Sequence, residues 1–395
     1  MELSEAERKL RSAVIKLSDE LPGNGAILSK REIRRLHRAQ RLARLVSLDG
    51  AFNEMLGTLR SNLASPAEVV VGAIRPTLVP VTADSQESRL FSAAALTWSV
   101  PVSQGFGRRM RFLVRDESNG KLVGIVGLTD PVFNLRPRDA WVGWSSAQRE
   151  ERLIHVMDAF VLGSLPPYSL LLGGKLVALL AASREVTKAF RDKYAKATGV
   201  ISGRNKDPHL VLLTTTSALG RSSLYNRLRI PGSIEYLTDV ENDRVPGWYT
   251  QGFGHFHLGD DIFRELQQML TRRGHPYADG NRFGDGPNWK LRVIRQAVAE
   301  LGLPPDFLRH GIRRQVYVVP LAHNTRSFLR GESARPRYRN MACEGIAAFW
   351  LERWARPRSE RRPEWADWTP SLLLRALRNL RRESARSPGG TMWHS

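Results

Sequence analysis

The sequence predicts an α/β (α+β) protein: a mixed central sheet with helices on both faces, extended by helical segments at the N and C termini. Three observations carry that prediction. Strand-length apolar runs such as RRMRFLVRD (108–116), KLVGIVGLTD (121–130) and HLVLLTTTS (209–217) alternate with longer segments of helical period. One of those segments, beginning at Gly173, is apolar almost all round in its first half, as a helix buried against a sheet would be. Both ends of the chain instead carry cations at helical spacing.

Residues 1 to about 60 read as helical. Lys30, Arg31, Arg34, Arg35, Arg38, Arg41 and Arg44 recur on one face, and Ile33, Leu36, Ala43 and Val46 form the apolar stripe. Such a face either docks as a solvated surface or touches phosphates directly. From about 61 to about 100, Pro66, Pro76, Pro80 and Pro101 mark turns. The strand signal then starts at Arg108, and Ser118-Asn119-Gly120 joins the first two strands as a hairpin. AWVGWS (140–145) is expected as a third strand, 146–157 as a helix and DAFVLGSL (158–165) as a buried strand. A long helix is expected over 173–197, a strand over 209–217, a short helix over 222–228 and a strand over 233–239. A helix at 259–272 and a closing strand at 315–321 complete the core, and SLLLRALRNLRRES (371–384) reads as an amphipathic helix. The expected regions are a basic helical N-terminal region (1–70), an α/β core (71–335) and a basic Arg-rich C-terminal extension (336–395). The order of hairpin, strands, buried helix entered through glycines, and returning strand resembles the GNAT superfold of acyl-coenzyme A dependent N-acetyltransferases, a likeness of fold alone.

Composition narrows the functional classes. The 395 residues are 42% hydrophobic and 25% charged, enough for a sizeable core in roughly two or three domains. The 32 Gly have no period, which excludes a collagen-like chain, and the apolar fraction excludes wholesale disorder. The single cysteine, Cys343, excludes a disulfide framework or a Cys-built metal cage and suits a reducing cytoplasm. No apolar run reaches the roughly 18 residues of a membrane span, and Met1 to Lys9 is charged rather than apolar, so neither membrane insertion nor secretion is expected. With 60 Lys+Arg against 39 Asp+Glu, the net charge of +21 points to polyanionic partners, nucleic acid ahead of anionic membrane.

Several clusters are candidates for chemistry. Arg108, Arg109 and Arg111 follow a glycine turn beside Trp98 and Phe106, a basic and aromatic mixture suited to nucleic acid; an ordinary basic strand edge is the plain alternative. Arg221, Ser222, Ser223 and Arg227 gather hydroxyls and guanidinium groups at a strand end, where they suit phosphodiester contacts, although either serine can equally cap a helix. Gly173-Gly174-Lys175 stands at a helix N terminus, where backbone amides favour a phosphate or the pyrophosphate of coenzyme A; close helix–strand packing is the other use of such glycines. It lacks the Walker A pattern, having Ser169 and Leu176 at the outer positions. His255 and His257 would share one face of a strand and hold a divalent metal, with Tyr225, Tyr249 or Tyr277 as nucleophile of a nickase. Among carboxylates, Asp116, Asp130, Asp139 and Asp158 are candidates for acid–base or metal work, with turn capping the commoner use; Asp139, beside Arg138 and two tryptophans, is taken as the catalytic candidate. There is neither a G-x-S-x-G nor an H-E-x-x-H motif.

Taken together, GFGRRMRFLVRD (105–116), KLVGIVGLTDP (121–131), RDAWVGW (138–144), DAFVLGSLPPYSLLLGGKLVALLAAS (158–183), TTTSALGRSSLYNRL (214–228), TQGFGHFHL (250–258) and VYVVPL (316–321) resemble the DruA family of the Druantia anti-phage defence system. The resemblance covers about 75 to 335 and leaves both basic ends outside. It implies a bacterial cytoplasmic protein acting against phage with other subunits, a large helicase-like one included, and it carries over no catalytic residue. Ala159-Phe160 and Gly173-Gly174-Lys175 depart from the family pattern, marking a divergent branch. The expectation is therefore a defence component that binds DNA or RNA through basic surfaces, with an acetyl-CoA acyltransferase and a metal-dependent nickase as alternatives.

Overall fold

The cations from Lys30 to Arg44 do not share one helix. The chain opens with α1 (Glu5–Asp19), α2 (Lys30–Leu36), α3 (Arg38–Val46) and α4 (Ala51–Asn62). A reciprocal cap starts α2, with Glu32 N donating to Ser29 Oγ and Ser29 N to the Glu32 carboxylate. α2 then ends at His37. That break shifts the phase of the apolar face, so α3 buries Leu42 and Leu45 and leaves Ala43 and Val46 exposed, whereas Ile33 is buried as expected. The computed structural model describes residues 3–19, 28–103, 107–195, 207–238, 248–253, 258, 260–278 and 289–386.

Next come β1 (Pro76–Pro80), α5 (Gln86–Ala95), β2 (Arg109–Asp116), β3 (Lys121–Thr129), α6 (Arg136–Val142), α7 (Ser146–Arg152) and β4 (Val156–Ser164). The expected strand at 140–145 is replaced by helix α6. Pro137 lies in its first turn, where a missing N–H is harmless, Asp139 accepts the Leu135 amide, and Gly143 ends the helix at φ 75°. β1 was hidden among prolines; it lies at the sheet edge, which tolerates them.

Then follow α8 (Gly173–Ala181), α9 (Arg184–Tyr194), β5 (Leu212–Thr216), β6 (Tyr249–Phe253), α10 (Asp260–Arg272), α11 (Trp289–Glu300), β7 (Arg309–Pro320), α12 (Thr325–Leu329), α13 (Cys343–Trp350), α14 (Arg356–Arg361) and α15 (Pro370–Arg386). The long helix expected over 173–197 breaks in two because Ser183 caps α9. Residues 222–228 form turns rather than a helix, and 233–238 make single bridges rather than a strand.

The seven-stranded mixed sheet runs β1-β2-β3-β4-β5-β7-β6. β1 through β4 pair antiparallel, β5 returns parallel to β4, and β7 pairs antiparallel with β5. The parallel return needs the crossover that α8 and α9 supply.

By compactness the chain divides into two units. The first comprises Met1–Arg41, Ser217–Arg221 and Tyr249–Arg314. Its core joins Leu10 and Val14 of α1 to Leu266 and Met269 of α10 and to Val293, Ile294 and Ala297 of α11. Arg273 closes this bundle by pairing with Glu7 at 2.8 Å and Glu300 at 2.5 Å. The second unit comprises Leu42–Thr216, Ser222–Trp248 and Gln315–Ser395. α8 lies buried on one sheet face, its Leu176, Val177, Leu179 and Leu180 wholly covered among Val123, Val126, Met157 and Leu213. At roughly 1.5–3 kcal/mol for each such side chain, this face dominates the stability of the unit. The opposite face carries two separate apolar clusters: Leu113, Ile125 and Val161 with α4, α5 and α15, and Val156, Leu212 and Val318 with α6 and α12.

Candidate nucleic-acid interface

Alternation along β2 and the amphipathic spacing of α9 bring three cations together. Val186, Phe190 and Tyr194 anchor α9 on its buried face, which leaves Lys193 at its outer edge. Lys193 Nζ donates to the Arg109 carbonyl at 2.8 Å and Tyr194 Oη to the same oxygen at 3.0 Å. Arg109 is exposed, and Arg111 lies half-buried over the Phe91 ring at 5.5 Å. Burial, then Arg111 and Arg109, hold the Lys193 ammonium below its ordinary pKa; burial, then Arg109, do the same to Arg111. The fold thus concentrates like charge at one end of the sheet.

Arg108 has a different part. Its side chain donates to Asp130 Oδ1 at 2.7 Å, to the Ile154 carbonyl at 2.6 Å and to the Val156 carbonyl at 3.3 Å, and it stacks near Phe190 and Tyr194. Asp130 also accepts the Arg108 amide. Arg108 therefore ties the start of β2 to the start of β4.

Between the two apolar clusters of one sheet face lies a polar break. The register pairs Thr129 with Asp158 and Asp158 with Thr214, so the three form a lateral row. Thr214 donates its hydroxyl to Asp158 Oδ1 at 2.7 Å. Burial pushes the Asp158 carboxyl up to about 6, against the opposing pull of Thr214 and Arg138. Arg138 is wholly buried and donates to Asp139 Oδ1 at 2.9 Å and to the carbonyls of Val132 and Phe133 at 2.8 and 2.7 Å. Asp139 further accepts Trp144 Nε1, Arg149 Nη1 and the Leu135 amide. Its two oxygens are therefore engaged by four donors that shape α6 and the turn before it.

The remaining sequence candidates fall in other places. Tyr225 is buried, stacked on Tyr236 at 5.3 Å and edge-on to Tyr317, and burial raises its phenol well above the ordinary value. Ser222 Oγ accepts the amides of Leu224 and Tyr225, the capping use of that serine. Ser223, Arg221 and Arg227 are exposed, the last at φ 56°. A Cβ on Gly173 would stand 2.6 Å from the Tyr168 carbonyl, and one on Gly174 3.1 Å from Leu224 Cδ1, so both glycines serve close packing. Trp350 donates to the Leu172 carbonyl, and Lys175, its charge disfavoured by burial, reaches the Leu224 carbonyl and lies over Trp354. At the amide end of α8, Gly173 is buried and Gly174 and Lys175 are half-buried. His255 and His257 lie outside the described residues. Among the described residues, no group of three or more His, Cys, Asp or Glu is placed to hold a metal ion, and no helix is long and apolar enough to cross a membrane. Sequence reasoning missed Lys193; its spacing from Val186 and Phe190 on an amphipathic helix would have placed it on the outer face. It also missed the row from Thr129 through Thr214, which appears only once strand register is fixed.

The family model described as Druantia protein DruA matches residues 27–331, so the chain belongs to the DruA family. The Druantia protein DruA of Escherichia coli (strain UMEA 4076-1) is 44% identical to it over 359 residues, which is 91% of this chain and 86% of the relative. Family membership connects it to the Druantia anti-phage defence system. No solved structure matches it.

Proposed function

We propose that this chain is the nucleic-acid-binding component of a Druantia defence complex, engaging DNA or RNA phosphates through a surface centred on Arg109, Arg111 and Lys193. The observation that carries the reading is the gathering of those three cations against their mutual repulsion. A polyanion offsets that repulsion and releases its own counterions on binding. Exposed Arg221, Arg227, Arg375, Arg378 and Arg382 add a sequence-independent attraction. Two further elements belong to this proposal: a cytoplasmic setting and other defence subunits, a helicase-like one included, as partners. The GNAT-like reading of the core is part of it too, supported by the β2–β3 hairpin, antiparallel β4, the α8–α9 crossover and the parallel return to β5. Filter binding with single- and double-stranded DNA and RNA at rising salt tests the reading. Affinity should fall steeply with salt; no retention at low salt overturns it.

A further inference from the structure

Among the described residues of the first unit, a buried guanidinium stands without a counter-charge. Burial holds Arg314 below its ordinary pKa, and its Nε is buried with no hydrogen-bond partner. Its Nη2 lies 3.4 Å from His37 Nε2. His37 is only 3% exposed, and burial, then Arg314, push it down to about 4, so it is neutral near neutral pH. With Nδ1 facing Gln40 Oε1 at 3.4 Å, a neutral imidazole donates there and accepts from Arg314, offering a dipole rather than a charge. One turn onward, the Arg41 amide donates to the His37 carbonyl, and the Arg41 Nε is likewise buried without a partner. Burial, then Arg38, disfavour the Arg41 charge.

Native proteins seldom leave buried donors unsatisfied, and an uncompensated buried cation is costly. We propose that Arg314, His37 and Arg41 form a binding site for a terminal phosphate group, the phosphate monoester found at a nucleic-acid end or on a free nucleotide. A monoester carries close to two charges at neutral pH, which answers two guanidinium groups, whereas a carboxylate supplies one. An internal phosphodiester also carries one, and its chain must continue on both sides, which suits an open surface better than buried donors. Phosphate oxygens would accept from the Nε–H groups of Arg314 and Arg41, with His37 fixing the Arg314 fork.

This inference does not depend on the Arg109 and Lys193 surface, and its test separates the two. The full chain is titrated by fluorescence anisotropy with labelled oligonucleotides carrying a phosphate at either end or hydroxyls at both. Its thermal stability is followed with inorganic phosphate and with adenosine monophosphate against chloride at equal ionic strength. A charge-assisted contact of this kind corresponds to a preference for the phosphorylated end of about tenfold. Arg314→Gln should remove that preference, whereas Lys193→Gln should weaken all the oligonucleotides alike. Arg41→Gln, at a less enclosed position, gives the same reading if the Arg314 variant does not fold. Stabilisation by the mononucleotide with no preference among ends assigns the site to a free nucleotide. No preference and no stabilisation, or either effect surviving in both arginine variants, overturns the site.

Discussion

Asp139→Asn is the perturbation whose size follows most directly from the structure. Asp139 Oδ1 takes Arg138 Nε and Trp144 Nε1, and Oδ2 takes the Leu135 amide and Arg149 Nη1. An amide of the same shape keeps one acceptor oxygen and turns an NH2 toward the other pair of donors. Arg138, wholly buried, then loses its ion-pair partner, while the carbonyls of Val132 and Phe133 and the attraction of Asp158 remain to it. Removing one partner of a buried pair costs about 3–5 kcal/mol, and the slight exposure of Asp139 argues for the lower end, about 3 kcal/mol. Urea denaturation followed by tryptophan fluorescence reads the change, since Trp144 belongs to the network. Trp144→Phe, which removes one neutral donor, should cost only about 1 kcal/mol from the lost hydrogen bond. An Asn variant within about 0.5 kcal/mol of the unaltered protein would refute the structural role of this carboxylate. So would an undisturbed midpoint accompanied by loss of an activity, because Asp139 would then be a reacting group.

Two further outcomes concern Asp158 and the glycine pair. Because burial raises the Asp158 pKa from 3.8 to about 6, the folded state holds its proton more tightly than the unfolded chain. The stability tied to that proton is present below about pH 4 and is lost as pH rises through about 6. Asp158→Asn should therefore match the parent in acid and exceed it by about 2 kcal/mol near neutrality, allowing for partial exposure; denaturation midpoints across that range check the sign. Gly173→Ala forces a methyl against the Tyr168 carbonyl and should cost about 1–3 kcal/mol, whereas Gly174→Ala meets only the movable Leu224 and should cost less than about 1 kcal/mol. Equal midpoints for the two variants would contradict the packing account of this loop.

The hairpin, β4, β5 and the buried first half of the central helix were legible because their periods are local. α6 was not. The apolar run of Trp141, Val142 and Trp144 has the composition of a short strand, and the feature that makes 136–142 a helix is Asp139 accepting the Leu135 amide, a side-chain bond that pattern alone does not reveal. The continuous cationic face of the N-terminal segment was misread because phase was carried through His37, where the helix stops. The cation cluster was half legible: Arg109 and Arg111 stand in sequence, but Lys193 joins them from more than eighty residues away. Arg108 shows the reverse, a residue singled out for its charge whose donors are spent within the fold. Register-dependent features such as the Thr129, Asp158 and Thr214 row need the pairing of three strands before they exist at all.

The most direct test of the proposed function is the salt dependence of nucleic-acid affinity in the parent and in an Arg109→Gln, Lys193→Gln double variant. Plotted logarithmically, the parent affinity should fall steeply between about 50 and 200 mM salt, and each lost phosphate contact should flatten the slope by about one. The double variant should therefore bind more weakly at every salt concentration, with a slope shallower by about two and an unchanged denaturation midpoint. Identical slopes and affinities for the two proteins would contradict the assignment of that surface to nucleic acid.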